Sequence, residues 1–332
     1  LALMGGATMY HFSLITAALV AACFLSIFFS MTLLLKNRLI STLCTIAVIS
    51  WMVEFPDTFQ GVYYLQYVPQ RLLFPSIFLL LCSLQLTAKK QTREKWLKGI
   101  TFLIVSLSLL WNPDTGVVIA IAYPAFLIYR ALTTRDLKDK NLYRIAGAAF
   151  AGTLASVVGA LLILLLITFA RTGQVFQFAD LLYGPMVFYQ SGFYMLRMPL
   201  IHEWILLIVL YAVALAKSMK DLSFMRTSGV AERNAFGPMY FLLSVMGLGL
   251  FSYYQGRSHD CVFTFVCWPG FVLLALFAQE YLEQIKTIGW RKKVGLLAVI
   301  VILSSLSAVS FYHDLRFVKA EALKVPAVAS KY

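Results

Sequence analysis

Apolar stretches recur along this chain at roughly 9–35, 39–53, 72–87, 100–111, 117–131, 145–169, 204–216, 236–254, 262–281 and 294–311. Crossing a hydrocarbon core about 30 Å thick takes about 20 helical residues, and several of these runs reach or approach that length. They are continuously apolar rather than alternating, which excludes a β-barrel. With 61% hydrophobic and 13% charged residues, the chain reads as an all-α, polytopic membrane helical bundle. About ten transmembrane spans are expected, in a single domain covering residues 1–332. The chain starts Leu-Ala-Leu-Met, without an initiator Met and without a signal-peptide layout, so a piece of a longer chain is expected.

The charges sort by connection. Lys36 and Arg38 lie in one turn, and Lys89, Lys90, Arg93, Lys95 and Lys98 in a second. Arg130 to Arg144, Lys217 to Arg233 and Lys286 to Lys293 supply the rest of a set that takes every second connection and holds 20 of the 28 Lys and Arg residues. That side carries seven acids, whereas the other carries eight bases and eight acids, so the whole net charge of +13 sits on one face. The positive-inside rule makes that face cytoplasmic and puts both termini outside. In a soluble protein such a balance points to nucleic acid. Here topology and anionic lipid headgroups account for it, and no nucleic-acid partner is expected.

The five cysteines are scattered, four of them inside apolar runs, and read as small packing residues rather than a disulfide frame or metal site.

The outer connections are aromatic and rich in Pro and Gly. In Trp111-Asn112-Pro113-Asp114-Thr115-Gly116, Asn112 suits a cap and Pro113 a first helical position. The flanking runs are short, so the hairpin is either fully spanning or partly re-entrant. A re-entrant hairpin holds Asp114 below the headgroups, where a carboxylate accepts a proton or binds a cation. Glu54 and Asp57, around Pro56, suit a base with its partner, or oxygen ligands for a divalent cation; a solvated loop start is the plainer explanation.

The densest polar cluster is Tyr253-Tyr254-Gln255-Gly256-Arg257-Ser258-His259-Asp260, between two apolar spans. Ser258 or Asp260 suits the cap of the span that follows. Arg257 and His259 need another reason, and an anion is one: a guanidinium matches phosphate geometry, and His donates to the same anion. Tyr253 and Tyr254 fit an interfacial belt or a substrate platform.

Many-span layout, aromatic outer loops and the segment Tyr253 to His259 together resemble the polyprenyl-phosphate-dependent integral membrane glycosyltransferases, the GT-C superfamily, with Trp111 to Gly116 as a weaker echo. The resemblance implies inverting sugar transfer from a lipid-linked donor to a saccharide, lipid or protein acceptor, on the outward face of the cell (inner) membrane. It implies an acidic base in the first large external loop; Glu54 and Asp57 lie in the first external loop of this chain. On that reading Asp114, Asp57 and Glu54 are the catalytic candidates, and Arg257 and His259 bind the lipid phosphate. Trp111, Asn112, Tyr253, Tyr254 and Asp260 line the substrate. No metal ligand set is expected beyond the cation reading of Glu54 and Asp57. The alternatives are a transporter or flippase of a lipid-linked or anionic substrate, and a polysaccharide polymerase or ligase.

Overall fold

The computed structural model describes residues 9–53, 67–134, 140–175, 196–200, 202–228, 236–258 and 260–284, with positions 177, 179, 183, 186 and 187. Nine helices run through these residues: α1 (Met9–Leu34), α2 (Arg38–Val53), α3 (Tyr67–Thr87), α4 (Gln91–Trp111), α5 (Pro113–Thr134), α6 (Lys140–Thr172), α7 (Trp204–Ser228), α8 (Gly237–Gly256) and α9 (Asp260–Gln284). The molecule is an all-α bundle, and five helices, α1, α3, α5, α6 and α9, contain segments long and apolar enough to cross a membrane. This is consistent with a membrane protein. The run at 294–311 lies outside the described residues.

Burial follows position in the bundle. The core is built from α3, α5, α8 and α9, whose Phe78, Leu79, Tyr123, Phe126, Met246, Val272 and Leu276 are fully enclosed. The segments of α1 and α6 are the most apolar and among the least buried. That inversion of the soluble pattern is expected where the surroundings are hydrocarbon. α1 packs on α3, α2 on α9, α6 on α4 and α5, and α7 on α8.

One polar knot crosses the core. Gln85 of α3 donates from Nε2 to Thr101 Oγ1 of α4 at 2.8 Å and to the Tyr123 hydroxyl of α5 at 3.2 Å. All three side chains are enclosed, and the shared bonds satisfy groups that would otherwise be costly to bury.

The described ion pairs gather mainly at one end of the bundle. At the basic end Lys36 pairs with Glu283 at 2.9 Å, Arg130 and Lys98 pair with Glu94 at 3.3 and 2.9 Å, and Lys217 pairs with Glu280 at 2.9 Å. The start of α3, the α4–α5 turn and the α8–α9 turn meet at the opposite, neutral end.

Two expectations change. The runs at 100–111 and 117–131 read as short, but their helices have 21 and 22 residues, about 32 Å each. The first turns of α4 carry Gln91, Arg93, Glu94, Lys95 and Lys98, polar residues that an apolar count leaves out. The hairpin therefore runs the length of the bundle instead of turning back partway. Likewise α3 begins at Tyr67 rather than residue 72, which takes Arg71 out of the loop and into a helix.

Candidate functional site

The α4–α5 turn is a single residue, Asn112, in extended conformation at φ −153° and ψ 104°. Its N–H donates to Ser108 O at 2.9 Å, closing α4, and its carbonyl accepts from Gly116 N at 2.9 Å, opening α5. Asn112 Oδ1 accepts from Asp114 N at 3.1 Å and Thr115 N at 3.4 Å, so the side chain caps α5, with Pro113 at the first position, where its missing N–H costs nothing. So tight a turn demands Gly116: an added Cβ would stand 2.6 Å from the backbone of Leu109.

The same turn is tied to α3. Trp111 Nε1 donates to Pro69 O at 3.2 Å, and Asn112 Nδ2 donates to Gln70 O at 3.3 Å. Both acceptors lie in the first turn of α3, just before Arg71. The tether sets Asp114 opposite Arg71, whose Nη1 donates to Asp114 Oδ2 at 2.8 Å. The Arg71 side chain is 13% exposed, that of Asp114 52%. Arg71 is held in the wall and Asp114 reaches out of it.

A second guanidinium comes from the end of α8. Arg257 occupies the position just past the helix, its backbone N–H donating to Tyr254 O at 2.9 Å. Its Nη1 donates to the Tyr253 hydroxyl at 3.1 Å, and Arg71 Nη2 donates to that same hydroxyl at 2.7 Å. The Arg71 guanidinium carbon also lies 4.0 Å from the Tyr253 ring centroid, within cation–π range. Two cations from helices far apart in sequence thus converge on one phenol oxygen, with one carboxylate beside them. The four groups sum to a net positive charge at an end of the bundle whose sequence charge is zero.

An apolar groove of about 340 Å³ runs from this cluster along the side of the bundle between α5 and α8. Val117 and Ile121 of α5 form one wall, Val245 and Gly249 of α8 the other, and Asp114 and Tyr253 stand at its polar head. Val117 and Ile121 are exposed. Gly249 narrows the seam, since a Cβ there would approach Val118 Cγ1 to 2.7 Å. Behind the cluster lies a cavity of about 10 Å³, bounded in part by Arg71, Thr115 and Phe265, about the size of a water molecule.

The remaining sequence candidates fall in several places. Trp111 and Asn112 act as tethers, and Asn112 is buried. Tyr254 points into the bundle at 0% exposure, packed among Phe251, Phe263 and His202, so it floors the site rather than lining it. Ser258 was a candidate cap for the following helix. Instead its hydroxyl donates back to Tyr254 O at 3.2 Å, finishing α8. Asp260 begins α9, and its side chain lies outside the described residues, as do Glu54, Asp57 and His259. His202 accepts from Trp204 N at 3.3 Å, as a helix start requires, and its ring meets Phe263 at 5.0 Å. Among the described residues no group of three or more His, Cys, Asp or Glu side chains is placed to hold a metal.

Arg71 is the member of this cluster that is not evident from the sequence. It stood in a loop by hydropathy, yet it is one of only eight bases on the neutral side and lies at the head of a long apolar run. An intramembrane-adjacent charge with that setting calls for a partner. No family model, curated protein or solved structure matches the chain.

Proposed function

We propose that the protein is an integral membrane glycosyltransferase that moves a sugar from a polyprenyl-phosphate-linked donor to an acceptor on the non-cytoplasmic face. The observation that carries this reading is the convergence of Arg71 and Arg257 on Tyr253 at the head of an exposed apolar groove. A ligand with an anionic head and a long apolar tail matches both parts at once. In the same reading the chain has about ten spans, as the apolar runs suggest, with the basic end cytoplasmic and the cluster outward.

The chemistry follows from the charges. The donor's phosphate lies against the two guanidiniums while its tail follows the α5–α8 seam. As the bond between the sugar's anomeric carbon and the phosphate oxygen breaks, the electron pair passes to that oxygen. Arg71 and Arg257 stabilise the developing charge beside a low-dielectric wall. The acceptor oxygen bonds to the opposite face of the anomeric carbon, which inverts it, and the acceptor's proton goes to a carboxylate. Its half-exposed side chain and its place beside Arg71 support Asp114 for that role. Asp57 and Glu54 are the alternative bases.

A flippase would use the same head-and-tail arrangement, and the groove's exposure toward the side of the bundle favours it as the second reading. The test is sugar transfer from a radiolabelled polyprenyl-phosphate donor by reconstituted protein. Arg257→Ala is expected to abolish transfer while insertion and helix content stay normal. Undiminished transfer in Arg257→Ala removes the assignment. Movement of the donor across the bilayer without a new glycosidic bond assigns the flippase instead.

A further inference from the structure

The Tyr253 hydroxyl accepts hydrogen bonds from Arg71 Nη2 at 2.7 Å and Arg257 Nη1 at 3.1 Å. A phenol oxygen has room for about two such donors, and it carries one proton of its own. Guanidinium groups contain no acceptor, so neither arginine receives that proton. The carboxylate beside them, Asp114, is engaged with Arg71 through Oδ2. Among the described residues the Tyr253 O–H has no acceptor. Two cations bonded to the oxygen also polarise the O–H and strengthen it as a donor.

We infer that Tyr253 is the third donor of the anion site: its O–H, left over from two arginine bonds, donates to the phosphate that Arg71 and Arg257 attract. The inference rests on the phosphate-site reading proposed above and gives it a neutral, directional member. Tyr253 also sets the spacing of the other two. Both guanidinium nitrogens touch the same oxygen, so they lie within about 6 Å of each other, a gap that one phosphate group bridges through two of its oxygens. The hydroxyl is the atom at which two like charges on separate helices meet.

The experiment is equilibrium binding of farnesyl phosphate to the full chain in detergent, with farnesol as the uncharged control. Tyr253→Phe removes one oxygen and keeps the ring beneath both guanidiniums. It is expected to weaken farnesyl phosphate binding by about tenfold or more, the loss of one bond to a charged group, with farnesol binding unchanged. Tyr253→3-fluorotyrosine, a stronger donor of the same shape, is expected to bind farnesyl phosphate more tightly than the unmodified protein.

Unchanged affinity in Tyr253→Phe, while Arg71→Ala and Arg257→Ala each weaken binding, overturns the donor role and leaves the phosphate site standing. Unchanged affinity in both arginine variants overturns the site and the inference with it. Equal weakening for farnesyl phosphate and farnesol marks Tyr253 as structural and also overturns the inference. Should the Phe variant fail to fold, the fluorinated variant decides: affinity equal to or below that of the unmodified protein counts against the donor role.

Discussion

Replacing Gly116 with Ala tests whether the α4–α5 hairpin positions Asp114. The added methyl group would lie 2.6 Å from Leu109 Cα, 2.7 Å from Leu109 N and 2.8 Å from Ser108 C. All three are backbone atoms, so no rotamer change relieves the contact. Restoring an ordinary separation of about 3.6 Å requires the helices to part by about 1 Å at this level. Asp114, two residues earlier on α5, moves with the turn, and its 2.8 Å bond to Arg71 stretches past the range of a hydrogen bond. Overpacking of this kind costs about 1–3 kcal/mol. The lost ion pair adds about 0.5–1 kcal/mol, kept small because half of Asp114 faces solvent. A drop of several degrees in the melting temperature follows for a protein of this size. On the proposed reading, sugar transfer is expected to fall by about a hundredfold, since a shift near 1 Å is enough to misalign a reacting group. Circular dichroism melting in detergent and the transfer assay read the two effects separately. Gly147 in α6 is the control: nothing lies within 4 Å of a Cβ there, and Gly147→Ala is expected to be neutral or slightly stabilising, by up to about 1 kcal/mol. Wild-type melting and activity in Gly116→Ala would refute the reasoning.

Two further outcomes follow from the same geometry. Asn112→Ala removes the cap of α5 and the bond to Gln70 O together, so a loss of about 1–2 kcal/mol is expected in detergent melting, with a larger fall in transfer than that loss alone explains. At the basic end, burial pushes the Glu94 carboxyl up, but hydrogen bonds from Lys98 and Arg130 and their charges outweigh it and hold the group below its ordinary value of 4.5. Its pairing therefore stabilises the fold above that value and is lost as pH falls through the depressed one. As pH falls below 4.5, wild-type protein should lose melting temperature more steeply than Glu94→Gln, and parallel curves would count against the pairing.

The described helices were legible as apolar runs, because hydrocarbon leaves the chain few choices, but their ends were not: α4 begins at Gln91 rather than near residue 100, and α7 runs to Ser228 rather than ending near 216. What hydropathy missed was polarity carried inside a helix. Arg93, Glu94 and Lys95 open α4, and Arg71 opens α3, yet each reads as loop when only apolar residues are counted. Three of the sequence candidates, Arg257, Tyr253 and Asp114, fall in one cluster. Their hinge, Arg71, lies 43 residues from Asp114 and 182 from Tyr253 along the chain, and nothing in local sequence announces such a pairing. The contrast between Tyr253 and Tyr254 was equally hidden. Adjacent helical residues point about 100° apart, and the packing of Phe263 and Phe251 decides which of the two faces inward.

The Gln85–Thr101–Tyr123 knot bears on how the molecule can move. Sliding α3, α4 or α5 past its neighbours by one turn, about 5.4 Å, would strand an enclosed amide with no water to replace its partners. These three helices therefore travel as one block, carrying Arg71 and Asp114 with them. Tyr253 and Arg257 ride on α8, which the knot does not include. The arginine cluster is thus built across the α5–α8 seam, a packed contact in which Gly249 lies against Val118. On the reading proposed above, widening that seam to admit a tail would also strain the bond that joins Tyr253 of α8 to Arg71 of α3.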